Sequence, residues 1–127
     1  MFFGFLKSKK EKELEFVSDV LAVAMFFDGT ATRNELEEAA KIIKSIENST
    51  EALQIGITRI HSLVGEFRKD REKFYAAQDR VDAYLQKQTE LKDKVVKWIQ
   101  TIFTVDTKAL CEREELYLGR FSSIGTV

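Results

Sequence analysis

Proline is absent from all 127 residues. Its ring removes a backbone donor and clashes with the preceding helical turn, so nothing of that kind interrupts helix anywhere in the chain. A single cysteine, Cys111, excludes an internal disulfide and suits a reducing compartment. The one histidine, His61, has no Cys, Asp or second His at ligand spacing, which excludes a zinc site on ligand count. No apolar run approaches the ~20 residues needed to span a bilayer. Basic residues gather only between Lys7 and Lys12, and the net charge is -1, so the electrostatic footprint of a nucleic-acid binder is missing. Gly-rich phosphate loops, nucleophile elbows and Cys–His pairings are missing too. The expectation is a protein that is not an enzyme.

What is present is core material on helical spacing. The apolar fraction is 44% and includes ten Phe, against 32% charged residues. A chain of this length makes one domain with a real core. Residues 1–10 form an apolar and basic segment: Phe2, Phe3, Phe5 and Leu6, then Lys7, Lys9 and Lys10. Two readings stand open for it, a weak membrane-surface or partner contact and folding back onto the helical core. Its charge follows the apolar residues, and its apolar part is far shorter than a signal-peptide core. A cytoplasmic location is expected, peripheral at the inner membrane face if the segment meets lipid.

Residues 11–127 read as one helical domain. A first helix is predicted from about Lys12 to Phe27, with an apolar stripe wide enough to need burial on more than one side. Asp28-Gly29 then ends it, since Gly tolerates the left-handed backbone that closes helices. Thr32 and Glu35 have the spacing of a capping box opening a second helix, whose buried face is Leu36, Ala39, Ala40, Ile43 and Ile46. Asn48 to Glu51 offers another cap. From Leu53 to Ile102 an apolar register of fours and threes continues, and two architectures fit it. A long coiled-coil helix would use it as a seam and oligomerise through it. A compact bundle would break it near Gly65–Asp70 and again near Gln88-Thr89. The bundle is expected, because a rod would leave the apolar faces of the first two helices uncovered. A last helix is predicted from Cys111 to Gly125, with Tyr117, Leu118, Phe121 and Ile124 facing the core.

One arrangement occurs twice. An apolar helix ends at Asp28 and Glu35 sits in the first turn of the next helix; an apolar helix ends at Asp106 and Glu114 sits in the first turn of its successor. This layout resembles the TerB-like family, named for tellurite resistance, which also includes the N-terminal part of the DjlA membrane co-chaperone. The first copy matches the family pattern through Asp28-Gly29, Thr32 and Glu35. The second departs from it, with Thr107 for the Gly, a loop one residue longer, and Cys111 where Ser or Thr is usual.

The resemblance implies an all-α, compact single-domain bundle with two pseudo-repeated helix-loop-helix units. It also implies a non-catalytic scaffold or adaptor, with a protein partner, in the stress response or defence of a bacterium or its phage. Carried over, the acids that could bind a divalent cation, Ca²⁺ or Mg²⁺, are Asp28, Glu35, Asp106 and Glu114, since hard cations take oxygen ligands. The alternative is structural. Asp-Gly is a common turn pair, and Glu at the third helical position caps a helix with no metal.

Overall fold

The computed structural model describes residues 9–28, 31–106, 111–119 and 121, with side chains given for these except at positions 9, 10, 28 and 113. Among the described residues six helices follow one another: α1 (Lys9–Asp28), α2 (Arg33–Ile46), α3 (Thr50–Lys69), α4 (Arg71–Lys87), α5 (Lys92–Thr104) and α6 (Glu112–Gly119), with a 3₁₀ turn at Thr89–Leu91 before α5. No strand occurs among the described residues, and none of their helices is long and apolar enough to cross a membrane.

The molecule is an all-α bundle built around α1. Every residue from Phe16 to Met25 is buried, all of them apolar but Ser18 and Asp19, so the wide stripe expected of this helix is in fact burial on all sides. α2, α3, α4 and α5 all pack on it. Phe26 meets Phe67 of α3 and Phe74 of α4, Phe16 stacks on Tyr84 of α4, and Phe27 packs on Phe103 of α5 and Tyr117 of α6. These pairings fix directions. α3 and α5 run alongside α1 in its own sense, and α4 runs against it.

The register from Leu53 to Ile102 is therefore consumed within the chain. Ile60, Val64, Phe67, Phe74, Val81, Val95 and Ile102 are all buried, and the coiled-coil reading loses its seam. The polar run breaks at one residue. Asp70 ends α3, its N–H donating to the Glu66 carbonyl, and its carboxylate accepts from the Glu72 N–H to begin α4. The second break falls at Gln88, where the 3₁₀ turn takes over.

Two boundaries differ from the sequence expectation. α1 begins at Lys9, so Lys9 and Lys10 belong to it and not to a separate segment. The cap of α3 is Ser49, whose hydroxyl accepts from the Ala52 N–H at 3.0 Å, and not Asn48. Both residues carry cap chemistry; Ser49 stands three residues before a free amide in extended geometry, which is what a cap requires. α6 is described from Glu112 to Gly119, and Phe121 beyond it is fully buried. Phe2, Phe3, Phe5, Leu6 and Lys7, named above for membrane or partner contact, lie outside the described residues, as do Gly29, Thr107, Ile124 and Gly125.

Candidate functional site

The ends of α1 and α5 and the beginnings of α2 and α6 lie at one end of the bundle, because α1 and α5 run in the same sense. The first corner is built by local chemistry. Thr32, in extended geometry, accepts the Glu35 N–H on its hydroxyl at 3.1 Å, and the Glu35 carboxylate accepts the Thr32 N–H at 2.9 Å. Two donors that a helix start leaves without partners are satisfied reciprocally. Glu35 is 0% exposed, which is unusual for a carboxylate and tolerable here because it is hydrogen-bonded.

The second corner repeats half of this. Glu114 is 6% exposed and its carboxylate accepts the Cys111 N–H at 3.0 Å. No bond back from the Cys111 sulfur is present among the described residues, as expected of a weak acceptor. Cys111 is an exposed free thiol.

Asp106 does not stay with its own corner. It lies in the turn after α5, exposed, and reaches the start of α2: the Thr32 hydroxyl donates to one carboxylate oxygen at 2.7 Å and the Asn34 amide to the other at 2.8 Å. These two donors, Asn34 first, hold the Asp106 carboxyl below its ordinary range. Its negative charge also sits at the positive end of the α2 dipole. Thr32 thus receives from Glu35 and gives to Asp106 with one hydroxyl. Asn34, which the sequence reading passed over, completes the latch.

Of the four acids singled out in the sequence, the structure brings Glu35 and Asp106 to the same helix start and places Glu114 in its own cap. Asp28 closes α1, and its side chain is outside the described residues. No group of three His, Cys, Asp or Glu side chains able to hold a metal ion is found among the described residues. Glu35 and Glu114 each spend an oxygen on a backbone amide and are buried, so among the described members of these four acids the exposed carboxylate is that of Asp106.

Compared with protein-family models, with curated proteins and with solved structures, the chain matches none. Its functional reading therefore rests on its own residues.

One further cluster was missed in the sequence. Asp19, 5% exposed in the middle of α1, is clamped by Arg59 of α3 at 3.2 Å and by Arg80 of α4 at 3.1 and 3.3 Å. The bond to Asp19 pushes the Arg80 guanidinium further up. A lone acid inside an apolar helical run was the available signal, because such a charge needs a partner wherever the helix is buried.

Proposed function

We propose that this protein is a non-catalytic helical scaffold or adaptor of the TerB-like kind, serving stress response or defence in a bacterium or its phage from the cytoplasm. What supports this reading is the joining of the two corners. Two helix starts with buried glutamates at matched positions lie at one end of the bundle, and the aspartate of one corner is latched onto the helix start of the other. An acid at a helix end followed by a glutamate in the next first turn is the layout on which the family resemblance stands, and the latch ties the end of α5 to the start of α2.

Within this reading Glu35 and Glu114 serve the fold, since their carboxylates are engaged in caps. A divalent cation would meet the exposed carboxylate of Asp106 first, with Asp28 the remaining acid of the set. So few carboxylates make a weak site, because a Ca²⁺ site takes six to eight oxygens. Titrating Ca²⁺ or Mg²⁺ to millimolar concentration against the ¹⁵N-labelled protein should shift Thr32, Asn34 and Asp106 together. Silence at all three removes the cation and leaves the scaffold. The biological part has its own test: deleting the gene in its native host should lower survival under tellurite or phage challenge, and unchanged survival under both would refute it.

A further inference from the structure

Away from the corners, the outward face of α3 carries a pattern of its own. Glu51, Ile55, Thr58, Ser62, Gly65 and Lys69 follow one another at spacings of four, three, four, three and four, so they form one stripe along the helix. All six are exposed or partly exposed, and the buried residues of α3, from Ala52 to Phe67, lie on the other side. Glu51, Ile55, Thr58 and Ser62 also line an open groove of about 560 Å³ beside Glu15 of α1. Ile55 is 53% exposed there, a large aliphatic side chain left in water on a concave surface.

The stripe reads the same from either end. Turned end for end against a second α3, it sets Ile55 level with Gly65, Thr58 level with Ser62 and Glu51 level with Lys69. Each match has a physical reason. A Cβ at Gly65 would meet nothing within 4 Å, so the helix is notched there toward the outside, and an Ile knob needs such a hole between small residues. A glycine inside a helix costs stability, which the close approach of another backbone offsets. Glu51 and Lys69 carry opposite charges, and neither has an ion-pair partner among the described residues. Laid parallel, the same stripe would set Glu51 against Glu51 and Lys69 against Lys69, and like charges count against that arrangement.

We infer that α3 is the contact face of a homodimer, in which two copies pack α3 on α3 antiparallel about a two-fold axis level with Ile60. Ile55 of each copy enters the hole around Gly65 of the other, and the Glu51–Lys69 pair forms twice, once at each end. The contact runs about five helical turns, or about 27 Å. One helix on one helix is a small interface, so the dimer is a weak one. It stands apart from the corner latch and does not depend on it.

The test follows ¹⁵N spectra of the full chain from micromolar to millimolar concentration. Ile55, Thr58, Ser62 and Gly65 should shift together, and Glu38 and Lys41 on the outer face of α2 should stay still. Glu51→Lys alone and Lys69→Glu alone should each weaken association roughly tenfold, because each puts two like-charged pairs into the dimer. Both positions are exposed, so the monomer keeps its fold. Glu51→Lys combined with Lys69→Glu should restore association, since opposite charges meet again. Direction is read in a Cys111→Ser background, with a nitroxide on Gln54→Cys of ¹⁴N chains mixed with ¹⁵N chains that carry none. Broadening should be strongest at Glu66 and Lys69 of the ¹⁵N chains and weak at Glu51. A monomer at every concentration overturns the proposal, as do shifts centred on another face or broadening strongest at Glu51. Single exchanges without effect, or a combined exchange that restores nothing, overturn it equally.

Discussion

Glu35 and Glu114 stand at the same turn of their helices and are both buried, yet only Glu35 belongs to a two-way cap. The difference lies in one atom of the residue three places earlier. The Thr32 hydroxyl accepts from the Glu35 amide and donates to Asp106 at the same time; the Cys111 thiol does neither among the described residues. A hydroxyl is both a good donor and a good acceptor, and a thiol is weak as each. The second corner also lends its aspartate to the first. The two corners therefore share a plan and divide the bonding unequally, and the start of α2 is the better-secured point of the pair.

The largest expected effect comes from removing the buried acids in turn. Glu35→Ala should cost about 2 to 3 kcal/mol, through a lost cap and an unsatisfied buried donor. Glu114→Ala should cost about 1 kcal/mol, since only one bond is lost. Urea unfolding measures both, and equal losses would break the comparison. Next in size is Thr32→Ala, at about 1 to 2 kcal/mol, because the same hydroxyl serves both the cap and the latch. A loss no larger than that of an ordinary surface substitution would show that the latch adds nothing. Cys111→Ser runs the other way. Supplying the missing hydroxyl should stabilise the second corner by about 0.5 to 1 kcal/mol, with a higher urea midpoint as the readout.

The smallest effect belongs to Asp106, which is fully exposed. Its folded-state carboxyl is held low by Asn34 and Thr32, so its contribution is complete above the unfolded-state value of about 3.9. That contribution is lost as the pH falls through the lower folded value. Asp106→Asn should therefore be less stable than the wild type near neutrality, and the gap should begin to shrink below about pH 4 and close only as the pH falls through the lower folded value. A gap that persists in acid would mean that the ionised carboxylate is not what holds the latch.

Local chemistry was legible in the sequence and distant chemistry was not. The Thr32–Glu35 cap spans three residues and announces itself by residue type. The break at Asp70 lies inside a charged run that no core would accept. Asp106 bonds to a hydroxyl 74 residues away, and no periodicity connects the two, so the sequence could pair Asp106 only with its neighbour Glu114. Asp19 was hidden for the same reason, with partners 40 and 61 residues on. The coiled-coil register from Leu53 to Ile102 was real as a pattern and silent about its partner. A stripe of fours and threes looks alike whether it meets another chain or wraps a helix of its own.

The Asp19 clamp gives α1 something its apolar residues cannot. A rod greasy on every side fits its sleeve in many orientations, since turning or sliding it exchanges one aliphatic contact for another of similar worth. One carboxylate on that rod, held between Arg59 and Arg80 on two different walls, is met at a single angle and a single depth. The clamp works as a key in a slot: it sets the screw position of the helix on which α2, α3, α4 and α5 pack.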